Sequence, residues 1–216
     1  SDKSRTSTSA VLCSKNGEHT IVMYRGKNDD LLEDNPPWDE LCQTKWFYLA
    51  DVASQTEDLT WRIAELAEDK EIKLCFVPGQ HQLKLGVQGL ERVLKTTEIF
   101  ILNAFEAQTL LKESKPEIPK MLKSFAQFGP KIIVITQDVN GAWGYDGKEV
   151  YFEEAPATKV VDTTGAGDAF SSAFLAAIVK NKSVVQALNL GSANAGSVIS
   201  QFGAQTGLLK NIENTN

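Results

Sequence analysis

Cysteine is scarce in this sequence, and Cys13, Cys42 and Cys75 show no C-x-x-C spacing. An odd, dispersed count supports neither a disulfide framework nor a thiolate zinc site; it fits reduced thiols and a cytoplasmic location. Long apolar runs are also missing. The most apolar stretch, residues 170–179, is too short to cross a bilayer, so no membrane span is expected. Residues 1–6, Ser-Asp-Lys-Ser-Arg-Thr, lack the apolar centre of a signal peptide. There is no block of basic residues either. Lys and Arg total 22 against 28 Asp and Glu, a formal charge of −6. That balance offers nucleic acid or an anionic membrane no general attraction, although a local pocket can still hold a small anion.

What is present is an ordinary globular composition, 42% hydrophobic and 23% charged over 216 residues, enough to bury a core. Two β-branched runs, residues 10–13 and 20–24, flank Lys15-Asn16-Gly17, a hairpin signal. Short apolar runs at 46–50, 72–77, 98–102 and 131–136 then alternate with helical spacing. Leu59, Ile63 and Leu66 predict one amphipathic helix, with Ser54 or Thr56 as its cap. Leu83, Val87, Leu90 and Leu94 predict a second, and Met121, Leu122, Phe125 and Phe128 a third. Strand, helix, strand at this rhythm implies parallel strands joined by right-handed crossovers, an α/β fold. A second hairpin is expected at 142–145 and 149–152, and helices at 169–179 and 183–200. Residues 28–37 read as a surface loop.

The segment Asp162-Thr163-Thr164-Gly165-Ala166-Gly167-Asp168 leads into the first of those late helices. A glycine-rich turn at a helix N-terminus presents unpaired N–H groups to an anion, with no Cβ in the way. Asp168 beside such a turn has two readings. It caps the helix, or it takes the proton from a hydroxyl attacking a phosphoryl group held by the turn.

The nine residues from Asp162 to Phe170, DTTGAGDAF, resemble the C-terminal signature of the ribokinase-like, or PfkB, carbohydrate kinases, and other motifs follow in the family's order. Residues 6–24 resemble its lid hairpin and Arg25-Gly26-Lys27-Asn28 its R-G-A-N segment. Asn103-Ala104-Phe105-Glu106 resembles its N-x-x-E motif, residues 133–141 its V-I-T-L-G-x-x-G stretch, and Gly203-Ala204-Gln205 its G-A-Q turn. The resemblance implies a ribokinase-like fold: a mainly parallel sheet with helices on both faces, plus a partial lid hairpin at 1–28 ahead of a nucleotide-binding core at 29–216. It implies Asp168 as general base and the amides of Gly165, Ala166 and Gly167 as anion hole. Asn103 and Glu106 then lie near the phosphates of ATP, with Glu106 organising the water shell of Mg²⁺. For these two the residues alone also allow a capping box. Thr136, Gly141 and Ser192 match positions lining the nucleotide. Asp162, Thr164, Val198, Gln201, Gly203 and Gly207 match those around a monovalent cation such as K⁺; Asp162 equally suits an Asx turn.

The sequence departs from the family in three places. The motifs that grip the sugar precede the lid hairpin in the family and are not in this sequence, which resembles the nucleotide-side portion of such a kinase. Thr136-Gln137-Asp138 stands for T-L-G, and Phe76-Val77-Pro78 lacks the usual Asp and Asn. The expected activity is transfer of the ATP γ-phosphoryl group to a hydroxyl of a small sugar or sugar-like molecule. The alternatives are a nucleoside kinase of the same superfamily and a non-catalytic nucleotide-binding protein. An open hairpin edge also suggests a homodimer through the lid.

Overall fold

In the computed structural model, residues 7–13, 19–24, 36–52, 57–113 and 117–210 are described. The expected turn at 15–17, the Arg25–Asn28 motif, most of the 28–37 loop and the candidate caps Ser54 and Thr56 lie outside them. Alternating β-branched residues form the hairpin β1 (Thr8–Cys13) and β2 (His19–Tyr24), paired antiparallel with Ala10 opposite Val22. After a short α1 (Trp38–Leu41), strands and helices alternate: β3 (Trp46–Leu49), α2 (Glu57–Asp69), β4 (Lys73–Phe76). Then come three short helices, α3 (Gln80–Lys84), α4 (Gly86–Gly89) and α5 (Glu91–Thr96), and next β5 (Thr97–Asn103), α6 (Ala104–Leu111), α7 (Ile118–Ala126) and β6 (Ile132–Thr136). A 3₁₀ turn at Asp138–Asn140 precedes β7 (Ala142–Tyr145) and β8 (Val150–Glu153). The long helices α8 (Ala166–Val179) and α9 (Val184–Ile199) follow.

The single helix expected across Leu83 to Leu94 is corrected to three pieces. Gly86 takes φ 67°, a left-handed conformation incompatible with a continuous right-handed helix. Its apolar spacing is nonetheless used, because Leu90 and Leu94 are buried and Leu83 and Val87 pack against the same core. Phe128 lies beyond the end of α7 and still packs on that core.

The main sheet has the order β3-β4-β5-β6-β7-β8, parallel through β6 and antiparallel thereafter. Its central strands are covered on both faces, which is why they read as unbroken apolar runs. Leu74, Phe76, Phe100, Leu102, Ile133 and Ile135 face α2, α5, α6 and α7. The alternate residues Cys75, Ile99, Ile101 and Val134 face α8 and α9. The parallel register aligns the carboxyl ends of β3 to β6 along one edge, with Asn103 directly beside Thr136. Ligands of open α/β sheets bind along such an edge. Among the described residues no helix is long and apolar enough to cross a membrane.

Phe100 is fully buried between Phe76, with ring centroids 5.6 Å apart, and Phe125 at 5.4 Å. Phe100→Ala is expected to cost about 3–5 kcal/mol through lost burial and a residual cavity, measured as a lower urea midpoint with an unchanged m-value.

Candidate functional site

Two helices begin at the carboxyl edge of the sheet. α6 starts at the end of β5, where Asn103 is the N-cap: its Oδ1 accepts from the Glu106 N–H at 2.8 Å, and Glu106 Oε2 accepts from the Asn103 N–H at 2.8 Å. This reciprocal capping box holds one oxygen of each side chain on the backbone. Burial raises the Glu106 carboxyl above the ordinary carboxylate range, and the Asn103 N–H offsets only part of that rise. Next to Asn103 is Thr136, whose hydroxyl approaches the Leu102 carbonyl at 3.5 Å.

The loop after Thr136 folds on itself. The Gln137 N–H donates to the Gly141 carbonyl at 2.7 Å, and Trp143 Nε1 donates to Gln137 Oε1 at 2.8 Å. Asp138, standing where the family usually has glycine, takes φ 48°, and Gly141 closes the turn at φ 98°. Asp138 therefore adopts a backbone state that costs a residue with a Cβ about 1–2 kcal/mol.

The second helix start is the Gly165–Asp168 turn. Gly165 is the N-cap of α8 at φ 81°, and a Cβ there would lie 2.7 Å from the Ala204 carbonyl oxygen. Gly167 is exposed, and a Cβ built on it meets nothing within 4 Å, so the space over the turn is open. Asp168 is exposed in the first turn of α8, where the helix dipole favours a carboxylate. Its side chain makes no hydrogen bond among the described residues, and the cap position belongs to Gly165.

Behind this turn the chain is clasped from the C-terminal side. Asp162 Oδ1 accepts from the Thr164 N–H at 2.9 Å, and Oδ2 accepts from the Gly203 N–H at 3.0 Å. Ser197 Oγ donates to the Gly207 carbonyl at 2.6 Å, and the Gln201 N–H donates to the Val198 carbonyl at 3.1 Å. The structure thus gathers Asp162, Thr164, Val198, Gln201, Gly203 and Gly207 around one bend. Thr164 Oγ1 is buried there without a partner. Ser192 is buried on α9, next to Gly191, which packs on the Phe170 ring. No hydrogen bond joins Ser192 to Asn103, Glu106, Thr136 or Gly141 among the described residues.

Sequence reasoning missed the polar residues that hold the turn. Asn194, buried on α9, donates through Nδ2 to the Ala169 carbonyl at 2.7 Å and accepts from the Leu209 N–H at 2.9 Å. Ser171 is fully buried on α8. Polar residues within an Ala/Ser/Gly-rich helical pattern were the available signal. Among the described residues no group of three or more His, Cys, Asp or Glu could hold a metal ion by itself.

The pfkB family carbohydrate kinase model matches residues 1–211. A sugar kinase of Archaeoglobus fulgidus is 26% identical over 209 residues, 97% of this chain and 82% of that protein. A 5-dehydro-2-deoxygluconokinase of Bacillus licheniformis is 37% identical over 85% of this chain and 60% of its own length. Several other curated relatives are likewise matched over only 59–61% of their length. Among solved structures, Thermotoga maritima ribokinase superposes with a TM-score of 0.77 at 22% identity, covering 95% of this chain and 67% of that one. A Burkholderia thailandensis nucleoside kinase in complex with inosine superposes with 0.80 at 17%, covering 95% and 66%. These two show the fold.

Two outcomes are expected. Gly165→Ala should destabilise by at least about 1–2 kcal/mol, from left-handed backbone and collision with Ala204, whereas Gly167→Ala should stay within about 0.5 kcal/mol, both read by urea unfolding. Glu106 binds its proton more tightly folded than unfolded. Stability should therefore fall as pH rises from the ordinary carboxylate value through the raised one, and Glu106→Gln should flatten that slope in unfolding midpoints between about pH 4 and 7.

Proposed function

The chain belongs to the pfkB family of carbohydrate kinases, and we propose that it carries the nucleotide site and catalytic base of an ATP-dependent kinase acting on a hydroxyl of a sugar or sugar-like molecule. The observation that carries this reading is the pairing at the start of α8. An unbonded, exposed Asp168 carboxylate adjoins a glycine turn with open space above it.

Asp168 accepts the proton of the acceptor hydroxyl as its oxygen attacks the γ-phosphorus. The bond from that phosphorus to the β–γ bridging oxygen breaks, and the electron pair leaves on ADP. In this reading the N–H groups of Gly165 and Gly167 stabilise the charge of the transferring oxygens as it develops, joined by that of Ala166 once it exchanges its 3.3 Å bond to the Thr163 carbonyl for the anion. The start of α6 and the 136–141 loop lie along the same sheet edge and receive the remaining phosphates, with Ser192 on the nucleotide side.

The donor set fits Mg²⁺ only as an ion held mostly by water and phosphate. One half-buried carboxylate, Glu106, is at hand, already bonded to the Asn103 N–H through one oxygen. Bound there, Mg²⁺ would neutralise phosphate charge. The bend around Thr164 fits a monovalent cation: its buried, unpartnered hydroxyl oxygen lies within the loops that Asp162 draws together. Asp162, Thr164, Val198, Gln201, Gly203 and Gly207 would hold it, several through carbonyl oxygens. A cytoplasmic location accords with the dispersed thiols. The β1–β2 hairpin exposes Leu12, Val22, Met23 and Tyr24, which suits pairing of two copies through the lid.

Mg²⁺-ATP at 100 times its dissociation constant is expected to stabilise the chain by about 2.7 kcal/mol; an unchanged melting temperature at millimolar nucleotide would overturn the nucleotide site. In the whole protein, Asp168→Asn should lower kcat about 10²–10⁴-fold with ATP affinity retained. Comparable turnover by the variant would remove Asp168 as the base.

A further inference from the structure

The turn that carries Asp168 is tied locally by the Ala166 N–H to the Thr163 carbonyl at 3.3 Å and by Asp162 to the Thr164 N–H at 2.9 Å, but its two glycines add no side-chain contact. Gly165 sits in a left-handed conformation, and no heavy atom lies near where a Cβ of Gly167 would be. Glycine backbones gain little from local sterics, yet phosphoryl transfer requires donors and base to be held within about 0.5 Å of a working geometry. Further restraint has to come from elsewhere.

On one side it comes from Asn194, which donates to the Ala169 carbonyl at 2.7 Å. On the other side stands Tyr48, next to last in β3, the strand at the edge of the main sheet. Its hydroxyl lies 2.8 Å from Ser171 Oγ. Ser171 Oγ donates back to the Gly167 carbonyl at 2.8 Å, with the Asp168 carbonyl at 3.3 Å. A carbonyl cannot donate, so the single Ser171 proton points into the turn, and Tyr48 is the donor that fills a serine lone pair. A tyrosine hydroxyl keeps its proton at neutral pH, so this donor is present there, and desolvation of the phenol moves its titration only further upward.

We propose that Tyr48 is a positioning residue for the Gly165–Asp168 turn, anchoring it to the edge of the sheet through Ser171. The chain runs from the Tyr48 hydroxyl to the Ser171 hydroxyl to the Gly167 and Asp168 carbonyls. It opposes Asn194 across the helix and fixes the turn from two sides. The catalytic consequence of this anchor rests on the phosphotransfer reading above; the anchoring itself does not.

The test uses Tyr48→Phe, which keeps the ring and removes only the donor, and Ser171→Ala, each in the full chain, plus the double variant. The ¹⁵N order parameter of the Gly167 amide should drop from the rigid range near 0.85 towards 0.6 in either single variant, with no further drop in the double. An order parameter that stays in the rigid range in both single variants overturns the proposal. ADP release from Mg²⁺-ATP is measured in parallel with 5-dehydro-2-deoxygluconate, D-ribose and D-fructose as acceptor probes. With any acceptor that the unsubstituted protein phosphorylates, Tyr48→Phe should lower kcat about 10-fold and leave the KM for ATP unchanged. An unchanged kcat, or a loss confined to KM, overturns the positioning role. Should the unsubstituted protein release no ADP with any of the three, the failure belongs to the phosphotransfer reading, and the order parameter alone decides the anchor.

Discussion

Burial of β4, β5 and β6 on both faces is the constraint from which the remaining architecture follows. Apolar side chains alternate between two helical layers, so neither layer can shift without uncovering half of each strand. α8 and α9 are held flat against Cys75, Ile99, Ile101 and Val134, and α2, α5, α6 and α7 against Phe76, Phe100 and Ile133. With four parallel strands in one register, the polar segments that leave their carboxyl ends are forced to the same edge. The helix starts at Asn103 and Gly165 are brought to that edge by packing far from either.

The two starts solve the same problem differently. At α6 the orphan amide donors are satisfied internally, Asn103 and Glu106 bonding each other's backbone. At α8 the cap is a glycine with no side chain to offer: the Ala166 N–H reaches the Thr163 carbonyl at 3.3 Å, and among the described residues no side chain takes up the donors of Gly165 and Gly167. A glycine in place of a side-chain cap gives up about a few tenths of a kcal/mol of local stability. Here that loss coincides with a turn supported from outside by Asp162, Asn194 and the Tyr48–Ser171 pair. Unsatisfied donors held by distant supports are what an oxyanion site requires.

Much of this was legible in the chain. The four apolar runs became β3 to β6 within a residue or two, because double-sided burial writes itself as continuous hydrophobic sequence. The antiparallel pairs 8–13 with 19–24 and 142–145 with 150–153 followed from alternation, and the second also from its Asp146-Gly147 turn. The helix expected from Leu83 to Leu94 was misread because periodicity records which side faces the core and is blind to a backbone reversal, and Gly86 supplied one. At the site, the Asp162–Asp168 segment and the Asn103–Glu106 box could be found locally, since each acts within a few residues. The Tyr48–Ser171 and Asn194–Ala169 bonds could not. Their partners are 123 and 25 residues apart, and only the fold reveals which polar side chains meet.

The clasp behind the turn also sets an order of assembly. The Asp162 carboxylate reaches 41 residues ahead to the Gly203 N–H, and Asn194 reaches 15 ahead to Leu209. Such distant closures cost chain entropy before they return any enthalpy. On the ribosome, where synthesis proceeds from the N-terminus, β3 to β6 can collapse while the bend at 162–165 still lacks its far support. The Gly165–Asp168 turn is thus among the last parts of the molecule to acquire its support. A nascent chain stalled before Gly203 would present its glycine turn without the Asp162–Gly203 bond behind it.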